Sequence, residues 1–197
     1  MTDTDQAIYG QAENLIERAH RCADEDLSYS LLEQAYFLLA PLVGRGFPPA
    51  LYLHACYTLA LENLDDASEA KRHADLIKRA AEAGDAKAQF ALGQLLEGGD
   101  GLPKDIVAAA HWFEQSARQG YAYAQWVHGL NLFSGYGIER DTALGIEFIR
   151  RAAEGRFAGA MEFIADAYAA GLHGFSKDET AAEEWRDRLL QPGVMKY

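Results

Sequence analysis

Cysteine is scarce in this chain, with two residues, Cys22 and Cys56, among 197. A disulfide-stapled secreted domain of this length carries four or more at regular spacing, so that class is excluded. Two isolated thiols in apolar stretches read instead as small core residues. Proline numbers only five, which removes collagen-like and proline-rich linker classes. No run of about 18 apolar residues is present to span a bilayer. The opening segment MTDTDQAIYGQAENLIERAHRCADED is acidic and polar, without the basic and apolar regions of a signal peptide. A cytoplasmic location is the expectation. Positive charge is the minority sign: 18 Lys and Arg stand against 30 Asp and Glu, a formal net charge of −12. Phosphate backbones and anionic lipids are held mainly by Lys and Arg, so neither nucleic acid nor a membrane surface is an expected partner. The sign favours a basic partner.

Constellations that carry chemistry are missing as well. Ser68-Glu69-Ala70-Lys71 matches S-x-x-K, but the S-D-N and K-T-G companions that such a nucleophile needs are absent. The segment reads better as a helix start in which Asp66 and Glu69 form a capping box. GGDGLPKD is glycine-rich with a lysine, yet it follows a helix where a phosphate loop follows a strand. Six histidines are scattered without H-E-x-x-H or clustered Cys/His spacing, and His20 with Asp24 supplies too few ligands for a dedicated metal site. The expectation is a protein that is not an enzyme and has no catalytic residues, cofactor or metal.

What is present is a repeat of period 36. Ala88, Ala124 and Ala160 keep that step, as do Ala81, Ala117 and Ala153, and Gly99, Gly135 and Gly171. Gly101 and Gly137 keep it too; the third copy then gains one residue, which moves the equivalent glycine to Gly174. Every later landmark shifts with it: Asp105, Asp141 and Asp178, then Trp112, Phe148 and Trp185. A displacement shared by all downstream landmarks marks a true repeat. Each copy reads as two helices. In AKAQFALGQLLEGG, apolar and small residues fall at Ala88, Ala91, Leu92, Leu95 and Leu96, which is helical spacing. Glycines and Pro103 break that helix, and Asp105 is placed to cap the next. The second helix carries the aromatic column and ends in a loop at Gly84, Gly120 or Gly155. Those aromatics are expected to be mostly buried between hairpins, since a lone hairpin cannot bury such a face and stacked ones can.

These residues resemble the Sel-one-like repeat (SLR), a relative of the tetratricopeptide repeat. The family pattern, roughly A-x-x-x-L-G-x-x-Y-x-x-G-x-G-V-x-x-D followed by spaced Ala, Trp and Ala-Ala, is matched over 84 to about 190. His128 stands where the pattern has Leu, and Ala165 where it has Gly. Upstream, GFPPALYLHACYTLALEN aligns Ala50 with Ala88 but carries Glu62-Asn63-Leu64-Asp65-Asp66 in place of the Gly-x-Gly loop. Before it, Leu31 to Val43 resembles a second helix, with Pro41 expected to kink or shorten it. Residues 6–23 place Ile8, Ala12, Leu15, Ile16, Ala19 and Ala23 on one helical face. The resemblance implies an all-α fold, a right-handed α-α superhelix (solenoid) of SLR/TPR-like hairpins with about ten helices. The expected organisation is one continuous array: an N-terminal capping hairpin over 1–46, a degenerate repeat over 47–83, and three SLR units with the C-terminal end over 84–197.

For function, the resemblance implies a non-catalytic protein–protein interaction module, an adaptor or scaffold, very often bacterial. A neutralising inhibitor, such as the immunity partner of a toxin, is the alternative. The consensus columns are structural, so a partner should meet the variable columns of the first helices. Leu53, Val127 and Phe163 share one such column, Leu130 and Asp166 its neighbour, and Tyr123 lies one turn before. Tyr123, Val127 and Leu130 fall at i, i+4 and i+7 as a single apolar stripe, with Glu97 and Asp166 supplying acid beside it. Two readings of this stripe stand open: a core closed by the superhelix, or a groove for a peptide with apolar anchors and basic flanks.

Overall fold

A computed structural model describes residues 2–62 and 66–195. Ten α-helices follow in order among the described residues: α1 (Asp3–Arg21), α2 (Glu25–Gly44), α3 (Pro48–Leu53), α4 (Asp66–Glu82), α5 (Ala86–Gly98), α6 (Ile106–Arg118), α7 (Ala122–Ser134), α8 (Thr142–Glu154), α9 (Ala158–Ala170) and α10 (Glu179–Leu189). A π-helical stretch, His54–Thr58, and a 3₁₀ turn, Leu59–Glu62, continue α3. No strand forms among the described residues; a single parallel bridge joins Phe157 to Met195. The fold is all-α, as the repeat predicts.

Two compact units divide the chain, Met1–Asp105 and Ile106–Tyr197. In the first, α1 pairs with α2, α3 packs against α2 and α4, and α4 packs on α5. In the second, each helix packs on the next, from α6 through α10. The repeated alanines explain how the helices come so close. Ala50, Ala88, Ala124 and Ala160 have no exposed surface at all, and Ala81, Ala117 and Ala153 are buried beside them. Gly129 on α7 and Gly145 on α8 take this further. A Cβ at Gly129 would lie 2.9 Å from the Gly145 carbonyl oxygen, and one at Gly145 would lie 2.8 Å from that of Gly129. Buried glutamines tie first helices to the preceding second helices: Gln89 Nε2 donates to the Ala81 carbonyl and Gln125 Nε2 to that of Ala117.

The loops follow the same arithmetic. The amides of Asp105, Asp141 and Asp178 donate to the carbonyls of Leu96, Leu132 and Tyr168, each at 2.9 Å. Asp141 and Asp178 then cap the following helices through Leu144 N and Ala181 N. Gly99, Gly135 and Gly171 close the first helices in the left-handed conformation. Within its own unit, Gly101 leaves no room for a side chain, since a Cβ there would sit 3.0 Å from the Ala70 carbonyl oxygen. At Gly137 the corresponding distance, to Ile106 O, is 2.6 Å. A Cβ at Gly174 would meet nothing within 4 Å. The added residue of the third loop lifts that glycine off the helix its counterparts touch.

Several expectations need correction. Trp112 and Trp185 are only half-buried, whereas Phe148 is buried; the neighbouring Phe113 fills the core position on α6 instead. Pro41 does not shorten α2 at its own position: its missing N–H removes a single backbone bond, and the helix continues to Gly44. Cys56 is exposed and Cys22 half-buried, so neither is a core residue. The third copy turns at Arg156 (φ +65), the place held by Gly84 (φ +93) and Gly120 (φ +90), and not at Gly155 (φ −71). Arg156 Nη2 donates to the Pro192 carbonyl at 2.7 Å, an anchor for the C-terminal segment that accompanies the strained backbone. Helix α4 begins at Asp66, with Glu69 in its first turn, and residue 65 before it lies outside the described residues. So do Asn63 and Leu64 of the segment that replaces the Gly-x-Gly loop.

Candidate functional site

Helix α7, AYAQWVHGLNLFS, contains no Lys, Arg, Asp or Glu. A helix without charge is normally buried all round, yet α7 leaves Tyr123, Trp126, Val127, Leu130 and Phe133 half-exposed. Helix α9, AGAMEFIADAYAA, carries only the two acids Glu162 and Asp166, both exposed. Phe163 lies between them and is half-buried.

Aromatic rings join the two helices. Tyr123 stacks on Phe157 at the start of α9, with centroids 5.0 Å apart and planes at 19°. Trp126 meets Phe157 and, edge-on at 6.1 Å, Phe163. Phe133 meets Phe163 edge-on, also at 6.1 Å. His173, from the loop after α9, lies flat on Phe163 at 5.1 Å and edge-on to Phe133 at 4.9 Å. Offset and edge-to-face contacts of this kind each add about 0.5–1.5 kcal/mol beyond area burial. The face is therefore held by its own ring contacts: Phe157 is buried beneath it, while Tyr123, Trp126, Phe133 and Phe163 stay partly exposed. The two readings of the stripe meet halfway: it packs sideways as a core does and remains reachable as a groove does.

Acidic groups outnumber basic ones beside the face. The Asp166 side chain is 81% exposed and lies 3.8 Å from Arg186 on α10, which also reaches Glu179 at 3.2 Å. Glu162 adds a second carboxylate, and neither α7 nor α9 supplies a cation. Beneath the face lies His128, 1% exposed and edge-on to Phe148 at 4.6 Å. Among the described residues its Nδ1 finds no hydrogen-bond partner, and burial holds its pKa below the usual histidine value. Neutral imidazole here serves as an imperfect substitute for the consensus leucine.

Of the sequence-derived site residues, Tyr123 and Phe163 are linked through the rings of Phe157 and Trp126, Val127 and Leu130 continue the Tyr123 stripe along α7, and Asp166 lies one turn from Phe163 on α9. Leu53 does not belong to a partner surface: it is 4% exposed, since its short helix packs among α1, α2, α4 and α5. Glu97 sits half-buried on α5 in the first unit. Sequence reasoning missed Trp126, Phe133, Phe157 and His173. Trp126 and Phe133 carried a signal, at i+3 and i+10 from Tyr123; His173 carried none, because it belongs to the one-residue insertion. Also unforeseen was the network at the π-helical stretch of the first unit, where buried His54 places Nδ1 2.7 Å from Thr58 Oγ1 and Nε2 2.8 Å from Glu62 Oε1. A neutral ring that donates from Nε2 to the Glu62 carboxylate and accepts from the Thr58 hydroxyl satisfies both contacts. Desolvation depresses the His54 pKa despite the opposing pull of Glu62. Hydroxyl, imidazole and carboxylate here resemble a catalytic triad in composition, but Thr58 has no exposed surface, so a substrate could not reach it. Although Cys56 as a residue is exposed, desolvation of its thiol pushes the pKa up to about 11, leaving it protonated at neutral pH.

Comparison with known proteins places this geometry. Residues 86–121, 122–156 and 158–185 match the family model of the Sel1 repeat, together half of the chain. No curated protein matches the sequence. Among solved structures, a Sel1 repeat protein from Oxalobacter formigenes is 30% identical, with a TM-score of 0.66 over 80% of this chain and 64% of its own. A protective antigen present in uropathogenic Escherichia coli strains and displaying an SLR fold is 23% identical, with a TM-score of 0.63 over 94% of this chain and 39% of its own. A Sel1 repeat protein from Klebsiella pneumoniae shares the fold at 19% identity and a TM-score of 0.50, over 93% and 94%. The chain thus spans less than two thirds of the first two. Three tandem matches, on the helices whose alanine and glycine columns build the packing described above, identify the chain as a member of the Sel1 repeat family.

Proposed function

We propose that this protein is a non-catalytic interaction module, acting in the cytoplasm of a bacterium, that holds a segment of a partner protein against the α7–α9 face. Sel1 repeat proteins are generally protein-interaction modules, which supports the class. The observation that carries the specific reading is the uncharged, half-exposed aromatic surface of α7. Water-facing rings in this number have an energetic reason to be covered, and buried aromatic and aliphatic anchors dominate interface energies. The acids Glu162 and Asp166 and the net charge of −12 favour a segment with basic flanks, because complementary charge steers association and selects partners. Among the described residues no helix is long and apolar enough to cross a membrane.

Affinity purification from the native host, read by mass spectrometry, tests this reading with wild type and Val127→Asp in parallel. A partner retained by wild type and lost with Val127→Asp, at an unchanged melting temperature, supports it. A partner retained equally by both variants places binding elsewhere on the molecule. If the partner that depends on Val127 is itself a toxin, the module is a neutralising inhibitor and not an adaptor.

A further inference from the structure

The third loop differs from its two counterparts in three ways that coincide at one residue. It is one residue longer than the loops at Gly99–Gly101 and Gly135–Gly137. It leaves Gly174 free of the contact that Gly101 and Gly137 make. It also holds His173 at φ +55, one of two non-glycine residues with positive φ among those described. Histidine in the left-handed region is uncommon and carries strain. What this backbone achieves is the placement of an exposed imidazole flat against Phe163 and edge-on to Phe133, at the end of the aromatic face.

One side of the imidazole is covered by Phe163 and the residue as a whole is exposed. Asp166 lies one helical turn from Phe163, with Arg186 at 3.8 Å on one side and its side chain otherwise 81% exposed, and Glu162 precedes Phe163. A planar cation suits such a place better than a point charge does. Guanidinium groups stack on aromatic planes while their edges donate to carboxylates, whereas an ammonium must keep most of its hydration. Arginine already stacks on rings in this unit: Arg188 lies over the Trp185 ring at 4.4 Å and Arg150 over Phe175 at 5.0 Å. We infer that His173 and Phe163, with Glu162 and Asp166, form an arginine-selective subsite for the basic residue of the bound segment. His173 is then the specificity-determining residue. The inference rests on the α7–α9 face being the partner surface.

Four fluorescein-labelled amphipathic helical peptides test it, identical in their leucines and carrying arginine, lysine, glutamine or glutamate on the polar side. Anisotropy titrations at low and high salt are run on wild type, His173→Gly and Val127→Asp. Glycine accepts the positive φ freely, so His173→Gly removes the ring without disturbing the loop, and a melting curve checks this. Wild type should bind the arginine peptide roughly two- to fivefold more tightly than the lysine peptide, the factor a partly exposed stacked cation supplies. The glutamate peptide should bind weakest. His173→Gly should erase the arginine preference and leave lysine-peptide affinity intact, while Val127→Asp should weaken every peptide. An arginine preference that is absent in wild type, or that survives in His173→Gly, overturns the subsite and leaves the partner face standing. Peptide affinities untouched by Val127→Asp overturn the face and the subsite together. Concentration-dependent self-association abolished by Val127→Asp would assign the face to a second copy of this chain and would overturn both as well.

Discussion

Segment 48–62 and helix α7 hold the same place in their respective copies, and their buried alanines, Ala50 and Ala124, are equally inaccessible. Their backbones differ. Helix α7 is a regular 13-residue helix closed by left-handed Gly135. The earlier segment passes from six α-helical residues through a five-residue π stretch into a 3₁₀ turn. The steps from Ala50 to Ala88 and from Gly46 to Gly84 are both 38 residues, two more than the period downstream. A π-helical turn is the usual way for a helix to absorb an inserted residue. Each segment also buries a histidine. His54 has partners for both ring nitrogens, and among the described residues His128 lacks one at Nδ1. Packing columns thus fix which residues go inside, while the loop glycines and polar partners decide how regular the helix can be.

The largest expected effect tests the aromatic column. Phe148→Ala should cost about 3–5 kcal/mol, the range for large buried aromatics, whereas half-exposed Trp112→Ala should cost roughly half as much. Equal denaturation midpoints for the two variants would show that exposure in this column does not matter. Next comes the loop contact. Gly137→Ala forces a Cβ against the Ile106 carbonyl in addition to left-handed strain, and should cost about 2–4 kcal/mol. Gly174→Ala carries strain alone, about 1–2 kcal/mol. If both lose the same stability, the close approach at Gly137 does not distinguish the second loop from the third.

The two histidines should respond with opposite sign. His54→Leu strips partners from Thr58 and Glu62 and should destabilise by about 1–3 kcal/mol. His128→Leu restores the consensus residue, relieves an unsatisfied nitrogen and should stabilise by about 1 kcal/mol. Urea unfolding of both variants settles the comparison, and two changes of one sign would erase it. The smallest effect is on pH. Both native histidines are held below the ordinary value of 6.5, mainly by burial. The unfolded chain therefore binds protons that the native chain refuses. Their contribution is complete above about pH 6.5 and is lost as pH falls below it. Unfolding midpoints between pH 7.5 and 5.5 should drop in wild type and drop less in His128→Leu; identical slopes would remove His128 from the account.

Much of the fold was legible because a 36-residue period leaves copies to compare. Ala88, Ala124 and Ala160, or Asp105, Asp141 and Asp178, announce their roles by recurring. Where recurrence fails, so does the reading. Arg156 replaces the turn glycine of Gly84 and Gly120, and sequence comparison moved the turn to adjacent Gly155 although the backbone kept its register. The π stretch depends on contacts with α2 and α4 that no local preference of His54–Thr58 reveals. Of the candidate face, the spacing of Tyr123, Val127 and Leu130 was readable. The degree to which each side chain is covered was not, because exposure depends on neighbouring rings such as Phe157 and Phe163. Leu53 shows this most plainly, with the column of Val127 and the burial of a core residue.

Free space around Gly174 has a practical side. The loops at Gly101 and Gly137 are wedged against backbone, so lengthening them would pry helices apart, and their length is under tight constraint. The third loop has already accepted an extra residue without disturbing α9 or α10, and it borders the aromatic face. It is the natural place to graft a reporter: a small tag or a fluorophore-bearing residue beside Gly174 should leave folding alone while sensing whatever settles on Phe163. In evolutionary terms the same loop is a tuning site, able to change what the face accepts while the repeat that carries it stays as it is.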